Sequence, residues 1–129
     1  MKIGIFNYRL SNIKSVCNAI EYFDHEYILI NNHNDLNQID KLILPGVGSF
    51  DALMNYIVES NFIEPLEVFV NEEKKDFLGI CLGLQILFES SDEGNMPGLG
   101  WLKGRCLKFN NKQIAVPHVG WSEVEVMNN

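Results

Sequence analysis

A cysteine held between two glycines, where a strand runs into a helix, constrains this chain more than any other feature. Phe77, Leu78 and Ile80 read as a short buried strand. Leu84, Ile86, Leu87 and Phe88 read as the opening of a largely buried helix, and Gly79-Ile80-Cys81-Leu82-Gly83 joins the two. A turn that tight lifts the side chain at its apex above the end of a sheet, as in a nucleophile elbow. Gly79 and Gly83 allow the sharp change of direction and leave room beside the sulfur for a substrate. Thiolate is the reactive form of cysteine, and a helix N-terminus favours negative charge at that place. Cys81 is therefore the candidate nucleophile; the plain alternative is a buried structural cysteine.

The surrounding pattern supplies the sheet that such an elbow needs. Lys2 to Phe6 reads as a first strand, and Ser11 or Asn12 can cap a helix running to about Phe23. Strands are expected at Glu26 to Ile30 and Lys41 to Leu44, with an asparagine-rich turn at Asn31 to Asn37 between them. Pro45-Gly46-Val47-Gly48 reads as a loop, followed by helices over about Phe50 to Glu59 and Ile63 to Glu73. The order β-α-β-β-α-α-β-α predicts an α/β fold with a doubly wound, mostly parallel sheet. After Gly94 the texture changes. Short strands are expected at Arg105 to Phe109, Ile114 to Val116 and Glu123 to Met127, running antiparallel. Ligands of open α/β sheets bind outside the carboxyl ends of strands. Asn7, the Gly46 loop and Cys81 all follow strands, so they should gather on one edge.

Gly79-Ile80-Cys81-Leu82-Gly83-Leu84-Gln85 resembles the nucleophile motif of the class I glutamine amidotransferases, a flavodoxin-like family. Further segments carry the likeness: Asn7-Tyr8-Arg9-Leu10-Ser11-Asn12-Ile13-Lys14-Ser15-Val16, Leu44-Pro45-Gly46-Val47-Gly48-Ser49-Phe50 and Val116-Pro117-His118-Val119-Gly120-Trp121. Together they resemble the glutaminase subunits of imidazole glycerol phosphate synthase, in order from Lys2 to about Val126. The resemblance implies that Cys81 attacks the amide of L-glutamine, giving glutamate and ammonia. It also implies a (β/α)₈ synthase (cyclase) partner that takes up the ammonia in histidine biosynthesis. Backbone N–H groups of Gly46, Val47, Gly48 and Leu82 would form the oxyanion hole, and Gln85 and Glu93 would bind glutamine. No cofactor or metal is implied. Physical chemistry is consistent with these roles: glycines let a loop turn its amides toward an anion, and an amide side chain both donates and accepts. Gln85 falls one turn after Cys81 on the same helix face. The plain alternatives are an ordinary turn at Gly46 to Gly48 and a solvated acidic surface at Glu89-Ser90-Ser91-Asp92-Glu93.

The general base is the missing part. His25 and His33 are expected to be solvated, and His118 lies in a segment that the resemblance makes structural or partner-facing. The His-x-Glu pair of the family comes later than this chain extends. The expectation is therefore one domain over residues 1–129, truncated at its C-terminus and poor at glutamine hydrolysis. Loss of a general base costs about 10²- to 10⁴-fold. At the first loop Asn7, Arg9 and Ser11 stand where histidine-pathway members usually have an acid and two glycines. This keeps open a paralogue that supplies ammonia for amidino groups on bacterial surface sugars. An inactive fragment or binding module is a further alternative, and other cysteine hydrolases of doubly wound fold are a weaker one. Trp121 and Gly120 are candidates for a partner-facing surface, or for core.

Composition excludes several classes. The net charge of −7 and the absence of basic runs argue against nucleic acid as a partner. No stretch approaches the roughly 20 apolar residues of a membrane span. Ile3-Gly4-Ile5-Phe6 is too short for a secretory core. Three cysteines without framework spacing suit a cytoplasmic protein. Cys17 shares a helical stripe with Ile13, Val16 and Ile20 and is expected in the core.

Overall fold

The computed structural model describes residues 1–8, 12–109 and 120–127. Four parallel strands form the main sheet in the order β2-β1-β3-β4, with β1 Ile3–Phe6, β2 Tyr27–Ile30, β3 Lys41–Gly46 and β4 Asp76–Cys81. Helix α1 (Ile13–Tyr22) links β1 to β2 on one side, while α2 (Phe50–Glu59) and α3 (Ile63–Glu67) link β3 to β4 on the other. Parallel crossovers are right-handed, so connections that run in opposite directions along the sheet place their helices on opposite faces. That is the doubly wound arrangement.

Alternate residues of a strand face opposite sides, and the register sorts them. Gly4, Ile28, Leu42 and Phe77 align across the sheet, as do Leu44 and Gly79 further along. This face meets Phe50, Leu53, Met54 and Ile57 of α2 and Phe62, Leu66 and Phe69 beyond, and together they form the main core. Ring edges lock it, with Phe6 4.7 Å from Phe62 in a T-shaped contact. On the other face Ile3 and Ile5 are buried and α1, with Cys17 buried, packs on β1. Beyond that helix, Leu78 is 55% exposed and Ile80 40%, so the strand expected to be buried is covered on one face only. No helix among the described residues is long and apolar enough to cross a membrane.

Several elements depart from the sequence reading. The asparagine-rich stretch is a 3₁₀ helix, His33–Gln38, closed by a capping box in which Asn32 accepts from Asn34 and Asp35 binds back to Asn32. α3 widens into a π-helical turn at Val68–Glu72 rather than running on as one α-helix. β3 continues through Pro45 and Gly46, which had read as loop. Pro45 is tolerated because pairing with β1 stops at Ile43, leaving only β4 alongside.

The helix after the elbow, α4, spans only Leu82–Gln85. Phe88–Ser91 is then a strand, β5, held by pairing with a segment further along the chain. β6 is Leu102–Cys106, not Arg105 to Phe109, and it pairs with β5 in parallel, not antiparallel. Asp92 to Trp101 provides the return path that a parallel pair requires, and a bulge at Gly104 (φ +102°) absorbs one residue. Glu123 to Met127 forms no strand. Val124 and Val126 remain exposed there, with no ladder to hold them. The expected strand Ile114 to Val116 lies outside the described residues.

Candidate active site

Cys81 ends β4 and starts α4 with φ +56° and ψ −111°, a conformation that side chains with a Cβ rarely adopt. Its neighbours hold it there. A Cβ on Gly83 would stand 1.9 Å from the carbonyl oxygen of Leu44, and one on Gly46 would stand 2.9 Å from the Gly83 nitrogen. The two glycines therefore let the elbow sit directly against the end of β3. The register places Gly46 opposite Cys81, so the Gly46 loop and the sulfur share one edge. Leu82 is buried beneath them and anchors the turn. Cys81 itself is exposed.

Val47 is 46% exposed, and Gly48 takes φ +103°, so the loop lifts away from the sheet beside the sulfur. Asn7 follows β1 on the same carboxyl edge, and its side-chain amide donates to Asn31 at 2.6 Å. The expected gathering of the Asn7, Gly46 and Cys81 turns on one edge is thus what the fold produces. Arg9 and Ser11 lie outside the described residues.

Gln85 ends α4, four residues or about 6 Å of helix rise beyond Cys81. It lines a cavity of 380 Å³ with Ser91, Asp92, Glu93, Cys106 and Lys108. Gln85 and Glu93, singled out separately in the sequence, therefore meet at one cavity. Glu93 itself is exposed. Within that cavity burial, and after it the negative charge of Glu93, push the Cys106 thiol up.

Neither described histidine stands near the sulfur. His25 precedes β2 and so lies at the opposite end of the parallel sheet from Cys81. His33 follows β2, three strand spacings from β4, about 14 Å across the sheet. Rather than being fully solvated, its half-buried ring meets Phe62 edge-on at 6.3 Å. His118 lies outside the described residues. Trp121 is fully exposed and not part of the core. Among the described residues no three His, Cys, Asp or Glu side chains converge as a metal ion would require. Sequence reasoning missed Ser91, the polar residue buried between Gln85 and Glu93. Its position among acidic neighbours concealed it, and only the turn from α4 into β5 could have revealed it.

A doubly wound sheet with a strained cysteine at a strand-helix elbow, next to a glycine loop, defines the class: α/β proteins that present a cysteine on a turn at the sheet's carboxyl edge. The model of the SNO glutamine amidotransferase family matches residues 10–110. Imidazole glycerol phosphate synthase subunit HisH of Prochlorococcus marinus subsp. pastoris is 46% identical over 124 residues, covering 95% of this chain and 60% of that protein. The subunit of the same name from Leptospira borgpetersenii is 38% identical over 126 residues, 95% of this chain and 62% of that protein. The corresponding subunit of Cyanophora paradoxa is 41% identical over 129 residues, 99% of this chain and 60% of that protein. The chain belongs to the SNO glutamine amidotransferase family. It spans about three fifths of the length of these relatives.

Proposed function

We propose that this chain carries the nucleophile portion of a glutaminase domain, and that Cys81 attacks the side-chain amide carbon of L-glutamine. A C–S bond forms, the C–N bond breaks, and ammonia leaves with a proton. Water then opens the thioester to give glutamate and restores the thiol. The observation that carries this reading is Cys81 at φ +56°, exposed at the end of β4 and opposite Gly46. Strain of that kind persists where surrounding structure enforces it and presents a reactive atom.

In this reading backbone N–H groups of Gly46, Val47, Gly48 and Leu82 stabilise the oxyanion. Gln85 and Glu93 hold the amino-acid end of glutamine. The names of the similar proteins favour imidazole glycerol phosphate synthase as the assembly, so the ammonia would pass to its synthase (cyclase) subunit, proposed to be of (β/α)₈ type, in the cytoplasm. Ammonia has to be kept from bulk water, which gives such a domain a reason to work docked on its partner. With no imidazole beside Cys81 among the described residues, turnover by this chain alone is proposed to be slow.

Ammonia release from glutamine, with the synthase partner present and Cys81→Ala as control, tests the proposal. Cys81-dependent release supports it and makes His118 or the partner the source of the base. Release no faster than the control would remove the catalytic reading from this chain.

A further inference from the structure

Ser91 closes β5 at only 5% exposure, with both of its hydrogen-bonding directions engaged. The backbone N–H of Glu93 donates to Ser91 Oγ at 3.2 Å, so in that contact the oxygen only accepts. The hydroxyl hydrogen is then available, and it is given to Gln85 Oε1 at 3.4 Å. That separation is long for a hydroxyl donor.

This pairing orients the Gln85 amide. Its oxygen is occupied by Ser91, which leaves the two Nε2 hydrogens for whatever enters the cavity. A pair of N–H donors suits a carboxylate. The same hydroxyl fixes the backbone of Glu93, whose carboxylate suits an ammonium group. Lys108, on the same cavity, adds positive charge for the carboxylate. A donor amide and an acid referenced to one buried hydroxyl complement the charged end of an α-amino acid.

We infer that Ser91 is a positioning residue that sets the Gln85 amide and the Glu93 backbone, and so makes the cavity selective for the α-amino-acid end of the substrate. This rests on the glutaminase reading. It goes beyond that reading by assigning the selectivity to a residue that does not itself meet the reacting amide.

The experiment is alkylation of the full chain by the diazoketone analogue of L-glutamine, with iodoacetamide as a reagent lacking an amino-acid end. Peptide mass spectrometry follows Cys81 separately from Cys17 and Cys106. Ser91→Ala should raise the half-saturating concentration of the L-analogue about 10-fold, the loss expected for a misdirected buried amide. Its maximal labelling rate and its rate with iodoacetamide should not change. Ser91→Thr, which keeps the hydroxyl, should restore binding to within about threefold.

Unchanged half-saturation in Ser91→Ala would overturn the inference. So would an equal fall with both reagents, which marks a role in folding alone. If the unsubstituted protein reacts equally fast with the L- and D-analogues and shows no saturation, the glutaminase reading itself falls and takes this inference with it. That outcome is read before any variant is made, so the two failures are distinct.

Discussion

Replacing Cys81 with glycine should leave the protein more stable than replacing it with alanine, although glycine is ordinarily the more destabilising residue. Both variants lose the sulfur, so they differ only in a Cβ. At φ +56° and ψ −111° that Cβ is strained against the backbone, a condition worth about 1–3 kcal/mol. Glycine removes the strain, but gives back about 0.4–1 kcal/mol through the greater freedom of the unfolded chain. The balance is about 1 kcal/mol in favour of glycine. For a chain of 129 residues this corresponds to a rise in melting temperature of about 4 °C over the alanine variant. Thermal denaturation of the two proteins, followed by circular dichroism under the same buffer, measures the difference directly. A glycine variant that melts at or below the alanine variant would refute the claim that the elbow is strained. It would also remove the argument that the sulfur is held out by force rather than by habit.

Gly83→Ala puts a methyl 1.9 Å from the Leu44 carbonyl and should cost at least about 3 kcal/mol, read as a lower urea midpoint, with loss of Cys81 labelling by the glutamine analogue. Asp51 accepts from the backbone N–H groups of Asn95, at 2.8 and 3.1 Å, and Met96, at 2.9 Å, tying the loop after β5 to α2. Asp51→Ala should cost about 1.5–3 kcal/mol in chemical denaturation and raise amide exchange at Asn95 and Met96. Burial alone would raise the Asp35 carboxyl, but bonds from the Asn31 and Asn32 backbone and the Asn32 amide outweigh it and hold it below its usual value. Its contribution to stability is therefore fully present above about pH 4 and lost as pH falls through the lower folded value. Asp35→Asn should flatten that acid limb, and identical pH profiles for the two proteins would contradict it.

The main sheet was legible because its strands and helices carry strong periods. Ile3, Ile5 and Phe6, the helix stripe with Cys17, and the apolar run before Gly79 each point to one solution. The adjacency of Gly46 and Cys81 was legible too, since both follow neighbouring parallel strands. The failures fall after Gln85. Ile86, Leu87 and Phe88 read as a continued helix, and what overturns that is long-range: the Leu99 N–H donates to the Ile86 carbonyl at 2.7 Å. Glu123 to Met127 has strand-like alternation but no partner strand among the described residues, and alternation without a ladder forms nothing. Ser91 was invisible for a related reason. A buried serine is identified by its partners, and Gln85 and Glu93 reach it only through a turn that hydropathy does not encode.

The sheet order makes β4, the strand that ends in Cys81, an outer strand among the described residues. Along an outer parallel strand, only alternate amides are bonded to the neighbouring strand, while the others face outward. Hydrogen exchange in β4 should therefore alternate along the chain between slow and fast sites, whereas β1 and β3 up to Ile43, paired on both sides, should be slow. Cys81 thus ends one of the two outer strands among the four whose carboxyl ends make up this edge. Anything that pairs with that open side would slow the breathing of the elbow, and the time Cys81 spends in its strained pose would then report on contact made a strand's width away.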